Sequence, residues 1–184
     1  APSRGLGDVY KRQHMETLNI SKLKKLKVLN CSYNNLTNLE LNSEVLTELD
    51  CSYNNFTSLV LKSTALKNLY CQYNSIENLA IKNLKLLYDY DCSHNKLTYL
   101  DISSANKICH IDCSYNQLEE LKLGDIELKW LTCNNNKLKE LDISNLAKLR
   151  ELDCRNNQLL KLDIRGLTKL DYLECDYNIE LIYR

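Results

Sequence analysis

The stretch that decides the fold is ICHIDCSYNQLEELKL, residues 108–123. Two further stretches, LTELDCSYNNFTSLVL at 46–61 and LRELDCRNNQLLKLDI at 149–164, carry the same residue types in the same places. In all three, a leucine or isoleucine stands five and two residues before a cysteine, and an asparagine stands three residues after it. Because this pattern recurs at a fixed period, it predicts a chain built from structural repeats.

The cysteine of this pattern occurs eight times, at intervals of 20 or 21 residues, and the unit reads L-x-x-L-x-C-x-x-N-x-L-x-x-L-x-[LI]. The cysteines are Cys31, Cys51, Cys71, Cys92, Cys113, Cys133, Cys154 and Cys175. In x-L-x-C the leucine and cysteine alternate with polar residues, which predicts a strand with one buried face. We expect short parallel strands centred near 29–31, 49–51, 69–71, 90–92, 111–113, 131–133, 152–154 and 173–175.

The unit matches the leucine-rich-repeat pattern at nearly every consensus position over residues 20–178. Within that family it resembles the bacterial internalin-type proteins that carry a cysteine ladder, one cysteine at the same core position of each 21-residue repeat. The resemblance implies an α/β-type solenoid, a right-handed superhelix with a parallel sheet on its concave face and mostly irregular or short extended segments on its convex side. It also implies export to the cell surface and a concave face that binds host or neighbouring-cell ligands.

The two ends of the chain depart from the repeat. Residues 1–13 hold the only proline and two of the four glycines, and they resemble translated sequencing-adapter sequence. We therefore assign 1–13 to a non-native N-terminal segment and 14–184 to a leucine-rich-repeat domain of eight repeats. Because solenoids need polar caps and neither end shows one, we expect a fragment of a longer protein.

The cysteines and asparagines of the repeat predict structure rather than chemistry. No close C-x2-C pair suits zinc, parallel side chains suit disulfides poorly, and a buried thiol has a raised pKa that makes it inert. The asparagine amide can satisfy backbone groups left unpaired where the chain leaves the strand. Cys109 stands outside the cysteine row, and we expect it to be half-exposed at the surface.

Several function classes are disfavoured. The 24 basic and 24 acidic residues balance, so nothing attracts nucleic acid generally, and no apolar run reaches the ~18 residues that membrane insertion needs. We find no nucleophile–base arrangement and no phosphate loop, and the three histidines lack metal spacing. The sequence therefore predicts no enzyme, no cofactor and no metal, and it leaves the oligomeric state open.

Function is expected on the concave face, at the positions three and one before each cysteine and one and two after it. Arg155 is the only arginine or lysine there, whereas nine positions are acidic. The acidic residues are Glu48, Asp50, Asp89, Asp91, Asp112, Glu151, Asp153, Glu174 and Asp176. The row two residues after each cysteine is mostly aromatic, reading Tyr33, Tyr53, Tyr73, His94, Tyr115, Asn135, Asn156 and Tyr177.

Exposed tyrosine and tryptophan are frequent binding hot spots, although stacked tyrosines also stabilise sheets and repeat duplication copies them without selection. Trp130, His94 and His110 break the repeated pattern, so duplication explains them less well. We predict a partner-binding site at Tyr70, Tyr73, Asp91, His94, His110, Asp112, Tyr115 and Trp130.

These residues predict a protein–protein interaction module that binds a basic protein surface, as part of a bacterial surface adhesin. Nucleic acid is disfavoured because its phosphates would meet carboxylates. Two alternatives remain open: a structural spacer that holds other domains apart, and a weak cation-binding surface on the acidic rows. A specific calcium site is disfavoured because flat strands supply few oxygen ligands.

Overall fold

The chain forms a solenoid of short strands joined by turns. The structure, a computed structural model, describes residues 7–183, with side chains described from residue 10 onward, and this range contains no helix. The strands of this range are β1 (Gly7–Val9), β2 (Val28–Asn30), β3 (Glu40–Asn42), β4 (Glu48–Asp50), β5 (Val60–Lys62), β6 (Asn68–Tyr70), β7 (Asp89–Asp91), β8 (Tyr99–Asp101), β9 (His110–Asp112), β10 (Glu120–Lys122), β11 (Trp130–Thr132), β12 (Glu151–Asp153), β13 (Lys161–Asp163), β14 (Tyr172–Glu174) and β15 (Glu180–Ile182). We number the turns of the solenoid by their cysteines, from coil 1 with Cys31 to coil 8 with Cys175.

The strands that precede the cysteines form one parallel sheet, in the order β1-β2-β4-β6-β7-β9-β11-β12-β14. Its register sets equivalent residues of successive coils side by side, as with Leu131 between Ile111 and Leu152. This sheet confirms the predicted solenoid. Each strand ends one residue earlier than predicted. In coils 1 to 7 the cysteine N–H still bonds across the sheet, but in coils 1, 2, 4, 5 and 7 the next N–H is taken by a side chain, which interrupts the pairing. In coil 2, for example, the Ser52 N–H donates to Asp50 Oδ1 at 3.1 Å.

The core confirms the inward-facing leucines and cysteines. The cysteines of coils 1 to 7 have no exposed surface, and all nine cysteines of the chain are free. Burial raises the pKa of the Cys133 thiol well above its usual range and that of Cys31 to about 12, which keeps these thiols protonated. Cys175 is half-buried because no described coil covers its far side.

The asparagine row ties successive coils together. In coil 5, Asn116 Nδ2 donates to the carbonyls of Cys113 at 3.2 Å and of Cys92, on the preceding coil, at 2.9 Å. Its Oδ1 accepts the Leu97 N–H at 2.9 Å. The same pattern recurs for Asn54, Asn74, Asn95, Asn136 and Asn157. The amide therefore satisfies backbone groups at each coil junction, as predicted.

The opposite side of the solenoid carries three small parallel sheets, which pair β3 with β5, β8 with β10, and β13 with β15. In each strand of the first two pairs the central leucine is buried between more exposed neighbours. The remaining coils are irregular there, which agrees with the expected short extended segments.

Two exposure predictions were wrong. The residue after each cysteine was placed on the concave face, and Arg155 is exposed there, but Ser52 and Ser114 are buried because each hydroxyl donates to the aspartate two residues earlier, at 2.6 Å. Cys109 was expected to be half-exposed but is only 4% exposed. Its backbone pairs with Tyr88 and Lys129 on the neighbouring coils, and the Tyr88 side chain contacts its thiol.

Residues 7–15 join the repeat architecture although the sequence pattern set 1–13 apart. Strand β1 pairs with β2, and the Tyr10 N–H donates to the Asn30 carbonyl at 2.7 Å. Asn34 binds this segment too, because its Oδ1 accepts hydrogen bonds from the N–H groups of Gln13 and Met15, each at 3.0 Å. Residues 1–6 lie outside the described residues, and the assignment of 1–13 to a non-native segment concerns its origin and stays a prediction.

Candidate binding surface

The outer face of the main sheet presents three rows of side chains. The first row lies three residues before each cysteine, the second row one residue before, and the third row two residues after. The predicted site residues His110 and Trp130 belong to the first row, and Tyr70, Asp91 and Asp112 to the second. Tyr73, His94 and Tyr115 belong to the third. All eight are exposed or half-buried, so every one is accessible to a partner.

The third row forms a continuous stack of five rings, which we call the aromatic ladder: Tyr33, Tyr53, Tyr73, His94 and Tyr115. Successive ring centroids lie 4.0 to 4.3 Å apart, with interplanar angles of 8° to 11°. The ladder arises because the parallel sheet repeats the same position at nearly the same spacing. The inner rings cover each other's faces and offer mainly their edges to solvent.

Each ring of the ladder stands on a residue in the left-handed backbone region. The φ angles of the third row lie between 52° and 56° from Tyr33 to Asn156. For a residue with a side chain this conformation costs on the order of 1 kcal/mol, and an aromatic pair returns about 0.5–1.5 kcal/mol. The positive φ was not predicted from the sequence, although His94, Asn135 and Asn156 are residue types enriched in that region.

The two ends of the aromatic ladder differ. At one end, Lys11 Nζ and the Arg12 guanidinium carbon each lie 5.0 Å from the Tyr33 ring centroid. At the other end the row continues with Asn135 and Asn156, whose amides hydrogen-bond to each other at 3.2 Å. One face of Tyr115 therefore has no ring stacked on it.

A second group of side chains connects the first and second rows. Asp89 Oδ2 accepts a hydrogen bond from the Tyr70 hydroxyl at 2.7 Å, and Asp89 Oδ1 lies 3.0 Å from His110 Nδ1. His110 then meets Trp130 edge to face, with centroids 6.2 Å apart. We call Tyr70, Asp89, His110 and Trp130 the polar–aromatic network. Burial, together with the bond to Asp89, raises the pKa of Tyr70 and keeps its hydroxyl protonated.

Asp89 is the member that the predicted site omitted. It was recognised only as one acidic residue among nine, and its place beside His110 in the first row was the available signal. The structure brings Tyr70, His110 and Trp130 together through it, and brings Tyr73, His94 and Tyr115 together in the aromatic ladder. Asp91 and Asp112 lie opposite each other on adjacent strands, as predicted.

The second-row carboxylates hold the strand ends as well as facing solvent. The N–H groups of Ser93 and Ser114 donate to Asp91 Oδ1 and Asp112 Oδ1, each at 2.9 Å. Partial burial of Asp91 raises its pKa, with a smaller contribution from the Asp112 charge, and the bonds from Ser93 only partly offset this.

In coils 7 and 8 a cation balances the acidic residues. Arg155 pairs with Asp153 at 2.8 Å and also with Glu174 on the next coil. Partial burial raises the pKa of Asp153, but hydrogen bonds from Arg155 and Asn134 outweigh this and lower it overall. No lysine or arginine between residues 10 and 183 forms such a pair with Asp89, Asp91 or Asp112. Carboxylates without a lysine or arginine partner among the described residues therefore lie on coils 4 and 5, and Glu48 and Asp50 on coil 2 also lack one.

Each coil thus combines buried leucines, a buried cysteine and a bridging asparagine beneath the three rows. A family model described as Leucine Rich Repeat matches residues 148–170. The functional domain of InlJ from Listeria monocytogenes, which includes a cysteine ladder, superposes with a TM-score of 0.80 at 30% identity. The chain has the leucine-rich-repeat fold and is similar to the cysteine-ladder internalin InlJ. The match covers 89% of this chain and 42% of the InlJ domain, so the leucine-rich-repeat chain spans less than half of its length.

Two other solved structures share the fold of this leucine-rich-repeat protein. The Leptospira interrogans LRR protein LIC12759 has a TM-score of 0.73 at 24% identity, with 88% of this chain and 45% of that chain covered. The internalin InlF from Listeria monocytogenes has a TM-score of 0.55 at 20% identity, with 89% and 59% covered. No curated protein sequence matches the chain. Within residues 7–183, no helix is long and apolar enough to cross a membrane, and no group of three or more potential ligand residues could hold a metal ion.

Proposed function

We propose that this leucine-rich-repeat chain is a protein-interaction module, without catalytic activity, whose concave sheet face binds a basic surface of a partner protein. The observation that carries the proposal is the polar–aromatic network. It fixes His110 beside Trp130 on a surface whose nearby carboxylates lack lysine or arginine partners within the described chain. The remaining predicted residues lie on coils 3 to 5 of the same face.

The charge distribution supports a basic partner. Lysine and arginine side chains can pair with Asp91 and Asp112 and stack on the exposed rings. Nucleic acid fits badly, because its phosphates would meet the same carboxylates. Coils 7 and 8 fit less well than coils 4 to 6, because Arg155 already occupies Asp153 and Glu174.

Localisation and biological setting follow from the relatives. The similarity to the cysteine-ladder internalins supports a bacterial origin and a place outside the cell or on its surface. A role within a surface adhesin is the setting we propose for the binding activity.

A structural spacer is the second candidate, and the aromatic ladder favours it. The inner rings of the ladder stack face to face on each other. This stacking stabilises the sheet laterally and leaves little ring face for a ligand. The ladder and the polar–aromatic network therefore give different expectations: the first supports rigidity and the second supports binding.

The test is a selection of random displayed peptides on the immobilised chain. We expect enrichment of lysine- and arginine-rich peptides. Trp130→Ala should lower the affinity for the selected peptides more than tenfold, because aromatic hot spots contribute about 2 kcal/mol to binding. Tyr172→Ala is the matched control, since it removes another exposed aromatic of the first row outside the network.

Three outcomes would contradict binding by this face. The first is that no basic peptides are enriched. The second is that Trp130→Ala and Tyr172→Ala have equal effects. The third is loss of binding on changing Lys62, which lies in β5 on the opposite side of the solenoid. Parental melting temperatures for the variants establish that the fold is intact.

A further inference from the structure

We propose that the free ring face of Tyr115, at the end of the aromatic ladder, is a subsite for an arginine side chain of the partner protein. This rests on the proposed function and names the chemistry of one contact within it. The guanidinium would stack on Tyr115 in the position that a ring would occupy one coil further along.

The first observation is the geometry of the ladder's end. Tyr53, Tyr73 and His94 are each stacked on both sides, whereas Tyr115 is stacked only on His94, at 4.3 Å. Accordingly Tyr115 is 50% exposed, compared with 41% for Tyr73. Asn135 takes the next place in the row.

Asn135 leaves the place of a ring unfilled. Its Nδ2 donates to Asn134 Oδ1 at 2.7 Å, and its Oδ1 accepts from Asn156, on the coil beyond, at 3.2 Å. These bonds hold the amide toward its own and the following coil. The slot beside Tyr115 is the place that a ring at position 135 would take, one ladder step away, and such a step is 4.0 to 4.3 Å elsewhere in the stack.

The second observation is that other exposed rings of this chain already carry cations. Lys11 and Arg12 lie over Tyr33 at the opposite end of the ladder, and Lys129 lies 5.9 Å from the Trp130 ring centroid. The placement of Lys11 and Arg12 shows that the ring at the Tyr33 end of the ladder accepts a cation. Within residues 10–183, no lysine or arginine lies over Tyr115.

The third observation is the neighbouring charge. Asp112 is on the same coil as Tyr115, and the bonds from Ser114 reach only its Oδ1. Its Oδ2 is therefore available to a donor from outside. Arginine fits better than lysine, because a planar guanidinium can stack in a ring-sized slot and still direct N–H groups at a carboxylate, whereas an ammonium is a compact point charge.

Filling the slot from within the chain tests the subsite. Asn135→Tyr adds a sixth ring on Tyr115, and the fold should accept it because Tyr33, Tyr53, Tyr73 and Tyr115 adopt the same positive φ as Asn135. Asn135→Gly is the matched control: it removes the same amide hydrogen bonds at the same position, glycine accepts the positive φ, and no ring is added, so the Tyr115 face stays open.

The probes are three labelled peptides of equal length that carry arginine, lysine or citrulline at the same positions, with binding followed by fluorescence anisotropy. We expect the arginine peptide to bind the parent and the Asn135→Gly variant equally, and to bind Asn135→Tyr about fivefold more weakly, as one exposed cation–π contact allows. Citrulline keeps the planar shape without the charge, so its peptide should bind weakly to all three proteins.

Equal arginine binding by Asn135→Tyr and the parent would overturn the subsite, as would equal binding of the citrulline peptide. The Trp130→Ala variant separates this result from the proposed function. Loss of binding in Trp130→Ala with no effect in Asn135→Tyr rejects the subsite and keeps the interaction surface, whereas no effect in either variant rejects both.

Discussion

Single residues in this repeat are chosen by backbone conformation and burial together. The third row accepts tyrosine, histidine and asparagine at one positive φ, and the exposed chemistry then depends on which of them stands there. The cysteine position shows the opposite limit. There the side chain has no exposed surface, so a small apolar group is needed and its thiol chemistry is suppressed.

The cysteine position gives a test at the residue scale. Cys133→Ser should lower the free energy of unfolding by about 1–3 kcal/mol, because it buries a hydroxyl without an assured partner. Cys133→Ala should lower it less, since alanine brings no polar group into the core. Chemical denaturation measures both, and Cys175→Ser is the control, because the half-buried Cys175 leaves a hydroxyl access to water. A Cys133→Ser variant as stable as the parent would contradict the burial of the ladder.

Strand ends in the second row carry the same residue type in opposite electrostatic settings. Asp91 and Asp153 both accept an N–H from two residues ahead. The pKa of Asp91 is raised, chiefly by burial, whereas hydrogen bonds from Arg155 and Asn134 lower that of Asp153. Asn30 occupies the equivalent place in coil 1 and accepts the Ser32 N–H at 3.1 Å, so an amide can replace the carboxylate there.

This contrast predicts opposite pH dependences for two matched substitutions. A raised folded-state pKa means that the charged form of Asp91 opposes folding at neutral pH, and the opposition fades as pH falls through that pKa. Asp91→Asn should therefore leave the free energy of unfolding unchanged or raise it at pH 7. Any gain over the parent should disappear near pH 3. A lowered pKa means that Asp153 stabilises the fold above its ordinary value of about 3.9 and loses this as pH falls further.

Asp153→Asn should accordingly destabilise the protein at pH 7 and approach the parent at low pH. Denaturation of the parent and both variants across this pH range measures the difference. If the two variants shift stability in the same direction at pH 7, the assignment of Arg155 as the partner that distinguishes the two aspartates is wrong.

The whole molecule is a stack in which each coil packs mainly on its two neighbours, so the position along the stack decides how much a core residue contributes. Leu131 has strands on both sides and is 1% exposed. Leu173 lies in β14, the last strand of the main sheet, and is half-buried.

Leu131→Ala should lower the free energy of unfolding by about 2–5 kcal/mol, as truncation of a buried leucine does. Leu173→Ala, the same change in the equivalent place of coil 8, should have a clearly smaller effect. Denaturant unfolding measures both free energies of unfolding, and the two variants are compared with one common dependence on denaturant concentration. If both variants lost the same free energy of unfolding, the stability of the solenoid would not depend on packing between neighbouring coils.

The sequence by itself determined the repeat, the parallel sheet, the buried leucines and cysteines, and the structural asparagines. It could do so because each of these follows from a local period, and the stacking of coils copies that period into contacts between neighbours. The strand positions were therefore right to within one residue. The pairing of Asp91 with Asp112 and of His110 with Trp130 followed from the same register.

Only the tertiary structure decided which side chains on the outer face meet. Burial of Ser52 and Ser114 depends on a hydroxyl that reaches back to an aspartate, and burial of Cys109 depends on its contacts with the neighbouring coils. The network through Asp89 joins coils 3 to 6, and the ladder ends where Asn135 replaces a ring. These contacts depend on side-chain size, rotamer and hydrogen-bond geometry between coils, which a period in the sequence does not specify.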